Sequence, residues 1–201
     1  MTYLEEYDYL IKGRHVVTGY WIQKEVDNLV RDLQDGRFIY DTTEPHKRIR
    51  FMQTMCLQSK RPFYMKPVEL MPWQLAFIEA LYSFKMTNTQ LRRFVEALLE
   101  IGRKNGKSTF LAADGNTDLF IGGGGSGICC GSNDDRQAKY IWSEIAGMRG
   151  RLDPKKAITG QNLTVLTNKK KNIQIIRMSS KTQNKDGGNY TKTYQDESHD
   201  V

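Results

Sequence analysis

The stretch that decides the fold is Gly102-Arg103-Lys104-Asn105-Gly106-Lys107-Ser108-Thr109. It follows an apolar run over residues 94–101, which the glycine-containing loop favours as a strand, and precedes a helical pattern over residues 108–120. A loop between a strand and a helix is the setting in which backbone N–H groups and a helix amino end cradle phosphates. The common pattern is G-x-x-x-x-G-K-[ST]. Here the first glycine falls one place late, at Gly102, so the loop is a variant of that pattern.

The residue types in this loop suit a nucleotide. Gly106 lets the backbone approach the phosphates closely, and Lys107 would reach the β- and γ-phosphates. The Ser108 hydroxyl would ligate Mg²⁺. Phosphate groups and Mg²⁺ are therefore the expected ligands of this loop, and the alternative is a basic surface turn.

A second motif, Asp196-Glu197, ends the last predicted strand, residues 191–195. In a Walker B element the Asp holds Mg²⁺ and the adjacent Glu polarises the attacking water. The strand before it is less apolar than a central buried strand. The alternative interpretation is a solvated acidic loop.

The remaining pattern predicts an α/β fold. Helices are expected over residues 18–35, 44–59, 72–84 and 134–148, and strands over 128–131, 163–166 and 173–178. Strand–helix alternation from residue 93 implies a parallel sheet with helices on both faces. The polar turn at residues 168–172 predicts a hairpin or a strand pair. We expect an N-terminal helical lead-in over 1–70 and a core domain over 71–201.

Charge and composition limit which classes of protein this chain can belong to. Of 201 residues, 30 are Lys or Arg and 23 are Asp or Glu, a net charge of +7. Residues 1–100 carry 14 basic and 13 acidic side chains, whereas residues 101–201 carry 16 and 10, which favours a polyanionic partner. No apolar run is long enough for a membrane span. The three cysteines, Cys56, Cys129 and Cys130, form no metal-binding spacing and are expected to be buried thiols.

Together these motifs resemble the N-terminal ATPase domain of the large terminase subunit of tailed bacteriophages, in the HK97-like group. The resemblance covers essentially the whole chain. Four stretches carry it: Pro72-Trp73-Gln74, the run Arg92–Ser108, Asp135-Arg136-Gln137-Ala138 and Asp196-Glu197-Ser198-His199.

The resemblance implies a P-loop NTPase of the ASCE, RecA-like type that hydrolyses ATP to drive double-stranded DNA into a procapsid. It implies that Lys107 and Ser108 bind phosphate and Mg²⁺, that Asp196 supports the metal and that Glu197 is the catalytic base. Arg103 would stabilise charge on the γ-phosphate in cis. Trp73 and Gln74 would contact adenine, since an amide can read its donor and acceptor edge and an aromatic ring can stack on it. Ordinary packing is the alternative for this pair.

The resemblance also implies partners and a location. These are the terminase small subunit, the portal and procapsid, a homo-oligomeric ring and the cytoplasm of the bacterial host. Large terminase subunits continue into further strands and a nuclease domain, so we expect this chain to be a fragment that is poorly soluble or weakly active. The alternatives are a non-catalytic remnant that binds nucleotide or partner subunits, a helicase-like ATPase and a simple DNA-binding module.

Overall fold

A computed structural model describes residues 1–102, 104–132, 135–179 and 190–195. The helices are α1 Tyr3–Lys12, α2 Tyr20–Gln34, α3 Thr43–Met55, α4 Pro72–Ser83, α5 Lys107–Ile121 and α6 Asp135–Leu152. The strands are β1 Ile39–Tyr40, β2 Phe84–Lys85, β3 Gly127–Ser132, β4 Thr159–Gln161, β5 Val165–Asn168, β6 Ile173–Ser179 and β7 Lys192–Gln195. No helix in this described part is long and apolar enough to cross a membrane.

The chain forms two compact units that interleave along the sequence. The first comprises residues 1–50 and 69–100, and the second comprises residues 51–68 and 101–201. Residues 51–68 lie in the unit that contains the phosphate loop, although they are far from it in sequence.

The first unit is a helical bundle with a small β-ladder. The helix expected after Thr18 is confirmed as α2, which begins at Tyr20 with Gly19 as its N-cap. In α1 the Thr2 hydroxyl accepts from the Glu5 N–H while the Glu5 carboxylate accepts from the Thr2 N–H, a reciprocal cap. One buried apolar cluster of this unit comprises Leu4, Tyr7, Val26, Leu29, Val30, Ala76, Ala80 and Phe84.

The second unit is built on a five-stranded sheet in the order β4-β5-β6-β3-β7. Strand β3 pairs in parallel with both β6 and β7, whereas β5 pairs in antiparallel fashion with both β4 and β6. The predicted hairpin is confirmed, with Asn168 registered against Ile173. The sheet is therefore mixed, because a short turn joins only antiparallel strands.

One face of this sheet is buried. Ile128 and Cys130 of β3 and Ile173 and Ile175 of β6 are at most 1% exposed. Helices α5 and α6 pack against each other, and Gly115 allows their close approach, since a Cβ there would lie 3.0 Å from Ile145 Cδ1. Helix α5 also contacts β5 and β6, so the helix that follows the phosphate loop is packed against the sheet.

The strand expected over residues 94–101 is not formed, which corrects the sequence interpretation. Phe94 packs against the core of the first unit, and Arg93 forms an ion pair with Asp32 at 2.6 Å. The residues that follow are exposed, Val95 by 89% and Leu98 by 81%. The apolar pattern alone gave the wrong prediction for residues 94–101. The segment pairs with no strand among the described residues, and an extended segment without ladder hydrogen bonds gains no sheet stability.

Candidate nucleotide-binding site

The phosphate loop turns back on itself immediately before α5. Asn105 Nδ2 donates to the Gly102 carbonyl oxygen at 3.1 Å and closes the turn. Lys104 and Gly106 adopt positive φ angles of 69° and 78°. A Cβ on Gly106 would meet no atom within 4 Å, so the backbone conformation rather than packing requires glycine here.

Helix α5 begins at Lys107, directly after the loop. The Phe110 N–H donates to the Gly106 carbonyl oxygen at 2.9 Å, and the N–H groups of the first turn point beyond the helix end. Lys107, Ser108 and Thr109 are half-buried, while Lys104 is exposed. The positive end of the helix dipole and these N–H groups make the loop chemically suited to bind a phosphate.

Strand β7 explains why the sequence before Asp196 is polar. Lys192 and Tyr194 are registered against Ile128 and Cys130 of β3 and therefore face α5, whereas Thr193 and Gln195 are exposed. Because Thr193 and Gln195 are exposed, the face of β7 that carries them does not need apolar residues.

A buried polar network joins β7 to α5. Lys192 Nζ contacts Asp114 Oδ2 and lies 2.8 Å from Asp118 Oδ2. The Tyr194 hydroxyl donates to Asp114 Oδ2 at 2.8 Å. Asp114 and Asp118 are four residues apart and lie on one face of α5.

The network also sets the direction of the helix relative to the strand. Lys192, at the start of β7, contacts both aspartates, and Tyr194, further along, donates to the earlier one. Helix and strand therefore run antiparallel, and the amino end of α5 lies towards the carboxyl end of β7. The phosphate loop and the end of β7 are consequently at the same edge of the sheet, which is where ligands bind in parallel α/β sheets.

Residues 72–201 match the family model described as the ATPase domain of the terminase large subunit. The chain belongs to this family. The resemblance inferred from the phosphate loop and from Asp196-Glu197 is thereby confirmed.

The crystal structure of the HK97 bacteriophage large terminase is similar to this terminase ATPase domain. The two share 25% sequence identity with a TM-score of 0.65, over 79% of this chain and 32% of the HK97 chain. The terminase domain described here thus spans about a third of that protein. The similarity confirms the α/β P-loop NTPase fold. A search of curated proteins found no match.

Several expected site residues of the terminase domain lie outside the described residues. They are Arg103, Asp196 and Glu197. The side chains of Asp135, Arg136 and Gln137, in the stretch that opens α6, are also outside the description.

Trp73 and Gln74 occupy the first turn of α4, in the first unit, whereas the phosphate loop belongs to the second. Gln74 is buried, and its Oε1 accepts from the Met71 N–H at 2.8 Å. Trp73 packs against the core of the first unit. The side-chain amide oxygen of Gln74 therefore caps the amino end of α4, the helix to which Gln74 belongs.

Sequence reasoning missed the Lys192 network. The available signal was a pair of acids, Asp114 and Asp118, four residues apart in a predicted helix, which implies a cation elsewhere in the chain. The sequence does not say which of its 30 basic residues supplies that cation.

Proposed function

We propose that this chain is the ATP-hydrolysing motor domain of a terminase large subunit, which drives double-stranded DNA into a procapsid. The observation that carries the proposal is the phosphate loop at the amino end of α5. Its Gly106 is left-handed, and the loop lies at the sheet edge where β7 ends. Family membership supports ATP as the nucleotide.

Each residue of the phosphate loop makes a different contact with the phosphates. Lys107 holds the β- and γ-phosphates, and the backbone of Gly102, Lys104, Asn105 and Gly106 surrounds them. Thr109 contributes its N–H from the first turn of α5.

The described site fits Mg²⁺, since Ser108, the second residue of α5, is half-buried beside Lys107 and its hydroxyl is an oxygen ligand. Ser108 and Asp196 would hold the ion, which when bound supplies positive charge to the phosphate oxygens. Glu197 takes a proton from the attacking water as general base.

The family resemblance suggests roles for three further residues. Arg103 would stabilise charge that develops on the γ-phosphate. Trp73 and Gln74 would contact adenine, the Gln74 amide using groups beyond the oxygen that accepts from Met71.

The proposed partners follow from the family. They are double-stranded DNA, the terminase small subunit, the portal of the procapsid and further copies of the chain in a ring. The proposed location is the cytoplasm of the bacterial host.

The test is Mg²⁺-dependent binding of a fluorescent ATP analogue, measured together with phosphate release. We expect Lys107→Ala to weaken binding by tenfold or more, because a hydrogen bond to a charged group is worth about 1.5–3 kcal/mol. Lys139→Ala, an exposed lysine of α6 in the same unit, is the matched control and should bind normally. Glu197→Ala should bind the analogue but lose turnover by about 10²-fold or more.

The outcomes separate the competing functions. Equal binding by wild type and Lys107→Ala would contradict the phosphate loop. Binding without turnover in the wild type would favour a non-catalytic nucleotide-binding domain. DNA binding without any nucleotide binding would favour a simple DNA-binding module.

A further inference from the structure

Five exposed lysines lie at the end of the sheet that is opposite to the phosphate loop. We call Lys155, Lys156, Lys169, Lys170 and Lys171 the basic edge. They come from two separate connections: residues 153–158 join α6 to β4, and residues 169–172 join β5 to β6.

Strand register brings these two connections together. Asn168 is registered against Ile173 on one side and against Thr159 on the other. The β5–β6 turn and the start of β4 are therefore at the same end of neighbouring strands. The Lys169 side chain reaches across to β4, since a Cβ placed on Gly160 would lie 3.8 Å from Lys169 Cε.

This end of the sheet is opposite to the end at which the phosphate loop lies. β6 begins here, and β6 is parallel to β3 and β7, whose carboxyl ends lie at the edge with the phosphate loop. Helix α5 spans the distance between the two edges. Its 15 residues correspond to about 22 Å at 1.5 Å per residue.

The positive charge is not balanced by exposed acids. Among the described residues of 119–132, 149–179 and 190–195, the single acidic residue is Asp153. Asp153 is 5% exposed, and its carboxylate accepts from the N–H groups of Ala157, Ile158 and Thr159. These bonds fix the loop that carries Lys155 and Lys156 while leaving its cations unneutralised.

A glycine run adjoins the lysines. The connection from α5 to β3 contains Gly122–Gly125. Lys171 Nζ donates to the Gly122 carbonyl oxygen at 3.2 Å, and the Gly125 N–H donates to the Lys171 carbonyl oxygen at 2.9 Å. With no side chains on this run, an extended polyanion can approach the backbone beside the lysines closely.

We propose that the basic edge binds the phosphate backbone of duplex DNA. The choice of DNA as the polyanion rests on the proposed packaging function. The charge, the register of the two connections and the absence of exposed acids in the residues just named are independent of it. Lysines on short turns contact phosphates without reading sequence, which suits a protein that must bind DNA of any sequence.

The test measures binding of a fluorescent 30-base-pair duplex to the 201-residue chain between 50 and 200 mM KCl. Each phosphate contact contributes about 0.9 to the slope of log affinity against log salt. If all three lysines of the turn contact phosphates, the triple variant Lys169→Gln/Lys170→Gln/Lys171→Gln loses about 2.7 from the slope. Wild type would then lose about 40-fold more affinity than the triple variant across this salt range.

A charge-matched control separates location from net charge. Arg14→Gln/Lys24→Gln/Lys47→Gln removes three exposed cations from the first unit, and its slope should stay close to that of wild type. Lys155→Gln/Lys156→Gln is the second, independent variant and should reduce the slope by about 1.8. Unchanged far-UV circular dichroism confirms folding.

The proposal is overturned if wild type does not bind the duplex at 50 mM KCl. It is also overturned if both basic-edge variants keep the wild-type slope, if the control loses as much, or if duplex RNA binds more tightly. The ATP analogue is measured with the same variants and should bind all of them as it binds wild type. Loss of nucleotide binding by every protein, wild type included, would count against the motor function and leave the DNA result standing.

Discussion

Lys192 is the cation on which the link between β7 and α5 depends. Its ammonium group lies between Asp114 and Asp118, and Tyr194 donates to the first of these carboxylates. Lys192→Met keeps most of the side-chain volume and removes the charge. Two mutually repelling carboxylates then remain on one face of α5 without their cation.

The structure gives the size of the effect. The aspartate side chains are 11% exposed and that of Lys192 is 21% exposed. Removing one partner of a buried ion pair costs about 3–5 kcal/mol, and the partial exposure of Lys192 places this case at the lower end, about 3 kcal/mol. At about 2–4 °C per kcal/mol for a chain of this size, the melting temperature should fall by about 6–12 °C.

The assay must report on the second unit alone. The chain has three tryptophans, Trp21, Trp73 and Trp142, and Trp142 is buried in α6. In a Trp21→Phe/Trp73→Phe background, urea unfolding followed by Trp142 fluorescence measures the free energy of unfolding of the second unit.

Two controls test the cause. Lys192→Arg keeps the charge and should recover most of the stability. Lys192→Met/Asp114→Asn/Asp118→Asn removes all three charges together and should be more stable than Lys192→Met alone, because no uncompensated carboxylate remains. If Lys192→Met unfolds within 0.5 kcal/mol of its parent, or if the triple variant is no more stable than the single one, the argument from buried charge is wrong.

Three further predictions concern the backbone, the thiols and a buried acid. Gly106→Ala should destabilise the second unit by about 1–2 kcal/mol because φ is left-handed there, whereas Gly123→Ala, with open space and no positive φ, should be near neutral in the same urea assay. Burial raises the pKa of the Cys56 and Cys130 thiols to about 12 and also raises that of Cys129, so Ellman's reagent at pH 8 should label three thiols only after denaturation. Burial would raise the pKa of Asp153, but hydrogen bonds led by those from Thr159 outweigh it and lower the pKa from 3.8 to about 2. The stability that this carboxylate contributes is therefore complete above about pH 4 and is lost towards pH 2, and Asp153→Asn should show a smaller decline in urea midpoint over that range.

Local sequence pattern predicted the loop before α5 and most of the elements around it. The helix after the loop, the strand over residues 127–132 and the hairpin at residues 168–173 follow from glycine placement, helical periodicity and turn chemistry. These signals are encoded within a few residues of each other. They are therefore available without the fold.

The apolar pattern gave a wrong prediction where strand formation depends on pairing with a neighbouring strand. Residues 94–101 are as apolar as a strand, but strand formation needs a hydrogen-bonded neighbour, and none of the described strands pairs with them. The short strand β4 was missed for the complementary reason. Its three residues have no pattern of their own and are held by pairing with β5.

The sequence by itself determined that this chain has a phosphate loop before a helix, an acidic pair after a late strand, and the family to which both belong. Tertiary structure alone decided the strand order, the interleaving of the two units, the partner of the α5 aspartates and the gathering of lysines at one edge. Lys192 is 78 residues from Asp114 in sequence. Such contacts depend on the tertiary fold. The free energy of a buried charge or an unpaired strand is set by neighbouring residues that are distant in the sequence.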